Sequence, residues 1–258
     1  MKILFLSRYQ NKTARGAENF VSELANRLSN KHQVEIWSGQ KADSFKKMLD
    51  GRFDLVIPVN GRFQAIKASL GRLPGGYKVL ITGHSGKGWD DILNILAKPD
   101  IFVALTDYLA DWAKKWAWGT RVVKIPDGVD LNKFKPEGEK IVFRLPKPII
   151  LSVGALVSYK YHDRVIRAVS KMRGASVLIV GKGPEKENLE KLGRDLLGNR
   201  FKLVSFEYED MPKVYRSCHL FTLPSWDREA FGMVYLEAMA SGLGVVAPDD
   251  LPRHEIIG

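Results

Sequence analysis

Short runs of β-branched and aromatic residues alternate with helical stretches along the chain, and this rhythm constrains the fold more than any other feature. Each run predicts a strand of about four to six residues, and most runs are followed by turn residues or a helix. In the first half the runs are KILFLS, QVEIWS, FDLVIPV, YKVLITG, IFVALT and RVVKIP. Strands that alternate with helices are typical of a parallel sheet with helices on both faces. The sequence therefore predicts a doubly wound α/β unit.

Three helices are predicted between these strands from their apolar spacing. They span Gly16–Ser29, Arg62–Leu70 and Asp107–Trp118. In the first, Phe20, Leu24 and Leu28 recur every four residues, which places one apolar stripe on the helix side that faces the sheet.

The rhythm breaks in the segment 136–148, PEGEKIVFRLPKP, which carries three prolines and a cluster of charges. We place a domain boundary there, with a first domain at 1–146 and a second at 147–258. The second series contains PIILSVG, ASVLIVG, RFKLVSF, LFTLPS and GVVAP. It is the shorter of the two, so the second domain is either minimal or incomplete at its C-terminus.

Composition excludes several classes of protein. With 45% hydrophobic and 27% charged residues, the chain has the makeup of a globular protein rather than a disordered or fibrous one. The single cysteine, Cys218, cannot pair within the chain and is expected to be a small core residue in a reducing compartment. No apolar run approaches the ~18 residues of a membrane span, and the N-terminus lacks a signal-peptide core, so a cytoplasmic location is expected.

The net charge of +11 is unevenly distributed, with +9 in residues 1–146 and +2 in residues 147–258. Such a basic field attracts nucleic acid, anionic lipid or a phosphorylated substrate, and it is also compatible with an ordinary solvated surface. No nucleic-acid-binding module is recognisable, so we expect no nucleic-acid partner. No histidine or cysteine cluster has metal-ligand spacing, so no metal site is expected.

The most specific pattern is a pair of glutamates, Glu229 and Glu237, with seven residues between them in EAFGMVYLEAMASG. If a helix begins near Gly232, Glu237 points inward from that helix and Glu229 lies in the preceding loop. Carboxylates near a phosphate would be repelled by it and bind hydroxyl groups instead, so we expect Glu229 to bind the hydroxyls of a sugar and Glu237 those of a ribose. Alternatively, Glu229 caps the helix and Glu237 is a surface residue.

The start of this helix suits an anion, because the first amide groups of a helix have no partner within it and carry partial positive charge. We expect a diphosphate there. The amides concerned are those of Phe231, Gly232, Met233 and Val234.

Together, the Glu229–Glu237 stretch, the DGVDLNKFKP segment and the GAENF loop resemble the retaining glycosyltransferases of group 1, the GT4 type with the GT-B fold. The resemblance runs through the whole chain. It implies two Rossmann-like domains that face each other across a cleft, with the donor site mainly in the second. It also implies a nucleoside diphosphate sugar as donor, UDP- or GDP-linked, and no cofactor or metal ion.

The resemblance assigns further residues to the donor. Lys160, in GALVSYKYHD, matches a lysine that grips the diphosphate, whereas Ala155 stands where many members have arginine. Arg15 and Gly16 occupy the positions of the family's glycine pair, and Arg15 is a candidate to replace the missing positive charge, or a solvated loop residue.

Two more residues follow strands at the edge where open α/β sheets bind ligands. His84, in GHSGKGW, matches a histidine that contacts the donor sugar near the reaction centre, although a lone histidine is often structural. Gly183, in GKGP, is expected to border the nucleotide.

The predicted function is transfer of a hexosyl group from the nucleotide sugar to an acceptor hydroxyl, with His84 and Glu229 as catalytic residues. The acceptor is expected to be a carbohydrate or a lipid-linked molecule. A basic amphipathic stretch near Phe63 and Leu70 suggests peripheral association with the anionic inner face of a membrane, unless it is an ordinary sheet-packing helix. The alternatives are a non-catalytic or truncated nucleotide-sugar binding protein and an epimerase of the same fold.

Overall fold

The β-branched runs predicted to be strands are strands in the computed structural model, which describes residues 1–10, 16–59, 62–225 and 230–258. Of Gly16 and Arg62 only the backbone is described. The chain divides into two compact units, Met1–Pro126 and Asp127–Gly258. Each unit holds one parallel sheet, so the predicted α/β class is confirmed.

The first unit alternates strands and helices in the order that the sequence predicts. Its elements are β1 Lys2–Leu6, α1 Gly16–Ser29, β2 Gln33–Trp37, a 3-10 helix Gly39–Asp43, α2 Phe45–Asp50, β3 Leu55–Pro58, α3 Arg62–Gly75, β4 Lys78–Thr82, α4 Trp89–Leu96, β5 Ile101–Ala104, α5 Asp107–Lys114 and β6 Arg121–Lys124. Helix α1 has the predicted bounds, α3 is longer than predicted, and α5 ends before the tryptophan at 118.

The six strands of the first unit are ordered β2-β1-β3-β4-β5-β6. On β1, Ile3 and Phe5 are fully buried and form a core with Val21 of α1. The predicted stripe of Phe20 and Leu24 packs against this core, so the apolar spacing of α1 indicates its sheet-facing side correctly.

The second unit repeats the architecture with shorter strands. Its elements are β7 Ile149–Val153, a 3-10 helix Ser158–Lys160, α6 His162–Ser170, β8 Ser176–Val180, α7 Lys186–Leu197, a 3-10 helix Gly198–Arg200, β9 Phe201–Val204, a 3-10 helix Tyr208–Asp210, α8 Met211–Arg216, β10 Leu220–Thr222, α9 Met233–Ala240, β11 Gly244–Val246 and α10 Leu251–Ile257.

The second sheet is ordered β11-β10-β7-β8-β9, and it is apolar on both faces. Leu151 of β7 pairs with Leu178 of β8, and both belong to a core shared with α8 and α9. Their neighbours Ile150 and Val177 point to the other face and belong to a core shared with α6 and α7. Burial on both faces explains why these strands read as continuous hydrophobic runs.

The division between the units lies at Pro126 and Asp127, not at the predicted 146/147. The physical reason is that the proline-rich segment is not a linker. Phe134 and Phe143 are buried in the core of the second unit together with Tyr215.

Cys218 follows α8 and packs against this core, as predicted. Burial raises the pKa of its thiol to about 12. Among the described helices, none combines the length and the apolar character needed to cross a bilayer.

Candidate functional site

The strand order of the second unit reverses between β7 and β10. From β7 the chain continues to β8 and β9 on one side, while β10 and β11 lie on the other. In open α/β sheets, the crevice at the carboxyl ends of two such strands is the usual place for a ligand. The loop after β7 carries Lys160, and the segment after β10 leads to Gly232. These two predicted donor-binding residues therefore follow the two strands that flank the switch point.

An open depression of about 400 Å³ lies at the carboxyl ends of β10 and β11. It is lined by Arg164, Thr222, Pro224, Val246, Ala247, Pro248 and Asp249. A larger one, about 590 Å³, lies between α6 and α7 among side chains of both charges. The smaller depression lies at the strand ends, where the topology favours a ligand. Among the described residues that line it, none is a predicted donor-binding residue.

The loop after β7 is fastened to the loop after β8. The Leu156 amide donates to the Lys182 carbonyl at 2.9 Å, and the Glu185 amide donates to the Leu156 carbonyl at 3.0 Å. A Cβ on Gly183 would lie 2.5 Å from the Leu156 carbonyl oxygen, closer than real contacts allow. Gly183 is therefore required for the approach of the two loops, and its contact with a nucleotide stays a prediction.

Lys160 ends a 3-10 helix and is followed by Tyr161, a non-glycine residue in the left-handed region with φ 53°. The Lys160 side chain is partly buried. The guanidinium of Arg164, one turn further on, stacks over the Tyr161 ring at 4.0 Å and lines the strand-end depression. Two cations thus follow β7, whereas Ala155, where the family often has arginine, is exposed.

His162 begins α6 beside this loop and is almost fully buried. Its Nδ1 lies 3.0 Å from the Ser152 hydroxyl of β7. Burial, with the charge of Lys160, lowers the pKa of His162 to about 4. The imidazole is therefore neutral at pH 7 and links α6 to its strand. Residue spacing indicates no role for His162, and only its position two residues after Lys160 distinguishes it in the sequence.

Helix α9 begins at Met233 as predicted, with Gly232 as its N-cap. Gly232 has φ 93° and ψ 63°, a conformation that glycine adopts without strain. Phe231 is buried, while Met233 and Val234 in the first turn are partly exposed. The helix start is where the sequence predicts it, and the contact of its amide groups with a diphosphate stays a prediction.

Glu237 is buried on the inner side of α9, 5% exposed, so it is not a surface residue. Its Oε2 accepts a 2.7 Å hydrogen bond from the Tyr215 hydroxyl, and Tyr208 also donates to the carboxylate. Burial raises the pKa of Glu237, while these hydrogen bonds and the charge of Lys133 oppose the rise. The assignment of Glu237 to a ribose is untested, and Tyr215 would have to share the carboxylate with that ligand.

Sequence reasoning missed Tyr208, Tyr215 and Lys133. Lys133 lies over the Tyr208 ring at 4.3 Å, and Tyr215 is completely buried. The two tyrosines lie in EYEDMPKVY, a largely charged stretch with no periodic signal that marks either of them as a partner of a buried carboxylate.

In the first unit, His84 follows β4 and is partly buried. Its ring meets that of Phe20 edge-on, with 4.6 Å between centroids. Burial lowers the pKa of His84 to about 4, so at neutral pH it interacts as an uncharged imidazole. That suits hydrogen bonding to a sugar hydroxyl, and the catalytic role remains a prediction.

Asp91 is a second group that the sequence did not single out. It is buried in the first turn of α4, where Oδ2 accepts from the Ser85 amide at 3.2 Å and Oδ1 accepts from Asn94 at 3.1 Å. Burial raises the pKa of Asp91 to about 7. It fastens the loop that contains His84.

Two predicted residues, Arg15 and Glu229, lie outside the described residues, and Gly16 contributes only the backbone at the start of α1. The DGVDLNKFKP segment turns after Asp130. The Asp130 carbonyl accepts from the amides of Lys133 and Phe134. Within the described ranges, no group of three acidic, histidine or cysteine side chains has the geometry of a metal site.

Comparison with known proteins supplies an independent test. Residues 134–258 match the family model described as glycosyl transferases group 1. Over 211 residues the chain is 28% identical to the GDP-mannose-dependent monoacylated alpha-(1-6)-phosphatidylinositol monomannoside mannosyltransferase of Corynebacterium glutamicum, covering 71% of this chain and 55% of that one. It is 34% identical over 141 residues to the D-inositol 3-phosphate glycosyltransferase of Mycolicibacterium smegmatis, covering 50% and 32%.

Solved structures agree at the level of fold. Anabaena Alr3699/HepE in complex with UDP superposes with a TM-score of 0.81 at 18% identity, over 100% of this chain and 83% of that one. Sucrose-phosphate synthase from Thermosynechococcus elongatus gives 0.77 at 18% identity, over 95% and 80%. The chain spans about half the length of the curated relatives it matches.

Proposed function

We propose that this chain, whose residues 134–258 match the glycosyl transferases group 1 family model, is a retaining hexosyltransferase that needs no metal ion. The donor is a nucleoside diphosphate sugar, and the acceptor is a hydroxyl group. The observation that carries the proposal is the switch point of the second sheet, where the loop with Lys160 and the helix start at Gly232 follow adjacent strands.

Positive charge at the strand ends supports a metal-free mechanism. The departing diphosphate gains negative charge, which must be offset by preorganised cations or amide groups. Lys160 and Arg164 supply cations, and the first turn of α9 supplies amide groups. In this mechanism they stabilise the leaving group without a divalent ion.

In the reaction, the bond between the anomeric carbon and the diphosphate oxygen breaks with oxocarbenium character. The acceptor oxygen attacks from the same face, and its proton passes to the departing phosphate oxygen. Glu229 orients the sugar, Glu237 holds the ribose hydroxyls, and neutral His84 hydrogen-bonds near the anomeric carbon. Retention of configuration rests on the family resemblance.

The donor is proposed to be UDP- or GDP-linked. The Corynebacterium relative is named as GDP-mannose-dependent, and the Anabaena neighbour holds UDP. Relatives named as acting on phosphatidylinositol mannosides suggest a lipid-linked acceptor for this chain too.

Helix α3 supports association with a membrane surface. Its buried side uses the small residues Ala65 and Ala68, while Phe63, Leu70 and Leu73 are 74%, 69% and 87% exposed. A helix that only packed on its sheet would place its large apolar residues inward. The first unit, Met1–Pro126, carries a net charge of +9. We therefore extend the proposal to peripheral association with anionic lipid at the inner face of a membrane.

Binding and turnover of candidate donors test the function. UDP-, GDP- and ADP-sugars are screened for a rise in melting temperature, since a ligand at 100 times its Kd stabilises the native state by about 2.7 kcal/mol. The donor that binds is then assayed for transfer and hydrolysis. Glu229→Ala is expected to abolish transfer and to leave the melting temperature of the free protein unchanged.

The same assay separates the alternatives. Binding without transfer or hydrolysis identifies a non-catalytic nucleotide-sugar binding protein. Conversion of the donor to its epimer, seen by NMR of the sugar, identifies an epimerase. Full transfer activity in Glu229→Ala refutes the site assignment.

A further inference from the structure

Arg253, on α10, is a charged side chain in the interior of the second unit. It is 2% exposed, and its guanidinium contacts groups on both sides. Nη1 lies 3.1 Å from Oδ2 of Asp250, the residue that caps α10. Nη2 donates to the main-chain carbonyl of Ser225. One guanidinium thus joins the start of α10 to the chain that leaves β10.

A second side chain holds the same stretch. The hydroxyl of Tyr235, a fully buried residue of α9, donates to the carbonyl of Leu223. Leu223 and Ser225 are therefore fixed by side chains from two different helices. Between them lies Pro224, which lines the strand-end depression that the proposed function assigns to the donor.

Stability alone does not explain a buried arginine here. Taking a guanidinium out of water carries a large desolvation cost, and replacing buried ion pairs by apolar residues is often neutral or stabilising. Within the described part of the chain, the Nε of Arg253 has no hydrogen-bond partner, which adds to that cost. What arginine supplies is a rigid planar fork that sets two partners at fixed directions.

We propose that Arg253, oriented by Asp250, is a positioning residue for sugar transfer. It holds the Ser225 carbonyl so that the chain leaves β10 at one fixed place, and the strand-end depression lined by Pro224 keeps the shape in which the donor sugar reacts. The inference rests on the proposed function. It adds a residue that contacts neither the donor nor the acceptor.

The main test is Arg253→Met, which keeps most of the side-chain volume and removes the fork. Misplacement of a reacting group by about 1 Å costs on the order of 100-fold in rate. We expect kcat to fall 10- to 100-fold while KM for the donor changes less than about threefold. The hydrogen exchange of amides in 220–225 is expected to accelerate.

Arg200 provides a matched control in the same unit. Its Nη1 also donates to main-chain carbonyls, those of Met172 and Ala175, at 3.1 and 2.6 Å. These carbonyls precede β8, at the amino end of the sheet. Arg200→Met should lower stability and leave kcat within about twofold. Equal loss of kcat in both variants, or unchanged kcat in Arg253→Met, overturns the proposal.

Arg253→Lys keeps the test decisive if Arg253→Met does not fold. An ammonium reaches Asp250 or the Ser225 carbonyl but lacks the fork, so an intermediate kcat at unchanged KM supports positioning, and wild-type kcat overturns it. The exchange readout separates this inference from the proposed function. A wild-type chain inactive with every donor refutes the function, while exchange in 220–225 still decides whether Arg253 holds the strand end.

Discussion

The hydroxyl of Tyr215 donates a 2.7 Å hydrogen bond to Oε2 of Glu237, across 22 positions of sequence and in the interior of the second unit. Both side chains are buried, and burial raises the pKa of each. The carboxylate therefore lies in an environment that disfavours its charge, and the hydroxyls of Tyr215 and Tyr208 donate to it. A ribose hydroxyl that binds there would share the carboxylate with them.

Glu237→Gln should gain stability relative to wild type as the pH rises. The pKa of Glu237 is raised in the folded chain above its usual 4.5. Its contribution to the free energy of unfolding is therefore fully present below pH 4.5 and is lost as the pH rises through the pKa of the folded chain. Glutamine does not titrate and still accepts from Tyr215. Urea unfolding at pH 4.5 and pH 8 measures the difference. Glu187→Gln, an exposed change on α7, is the control, and equal pH dependence in both variants contradicts the prediction.

His162 should make the chain less stable in acid. Its pKa is lowered to about 4 in the folded state against about 6.5 when unfolded, so its contribution is present above pH 6.5 and is lost as the pH falls toward 4. When the pH is lowered from 7 to 5, the free energy of unfolding is expected to fall by ~2 kcal/mol less in His162→Gln than in wild type. NMR titration of the imidazole gives the pKa directly, and a value near 6.5 refutes the prediction.

Gly181→Ala should separate the loops after β7 and β8. A Cβ at this position would lie 1.9 Å from the Gly154 carbonyl oxygen, so the backbone must move. We expect a loss of ~1–3 kcal/mol of stability and weaker nucleotide-sugar binding in calorimetry. Gly128→Ala adds the same methyl group in open space and should cost less than about 0.5 kcal/mol. Similar behaviour of the two variants would falsify the packing role.

Leu70→Glu with Leu73→Glu should weaken binding to vesicles of anionic phospholipid. Each exposed leucine that enters the lipid interface contributes up to ~1.5–3 kcal/mol, so the double variant is expected to bind at least tenfold more weakly. Co-sedimentation at low and high salt measures this, and salt should weaken the wild type through screening. Leu131→Glu, an equally exposed leucine of the second unit, is the control. Absence of wild-type binding at low salt rules out the membrane proposal.

The local sequence pattern was sufficient to predict the strands and α1. A strand buried on both faces is a continuous apolar run, and a helix buried on one side has apolar residues at regular spacing. The pattern misplaced the boundary between the units, because the burial of Phe134 and Phe143 depends on partners far along the chain. For the same reason the sequence placed Glu237 inward on α9 but gave no sign of Tyr215.

The roles of individual charged residues were the hardest feature to predict from the sequence. Arg253 reads as one of many surface arginines, and only its contacts with Asp250 and Ser225 distinguish it. Lys160 was found through the family motif, while Arg164 became a strong candidate only when its place at the strand ends was known. The family motif indicates candidate ligand-binding side chains, and the structure adds residues whose contacts hold the neighbouring segments in place.

The partly buried thiol of Cys218 has a practical consequence. With a pKa of about 12, almost none of it is thiolate at neutral pH, and the thiolate is the form that reacts with maleimides and other alkylating reagents. Since the chain has no other cysteine, one introduced at an exposed position such as Ala155 would be labelled selectively. A single fluorophore or spin label can thus be attached in the loop after β7 without first replacing Cys218. The signal of that label would then report on nucleotide binding.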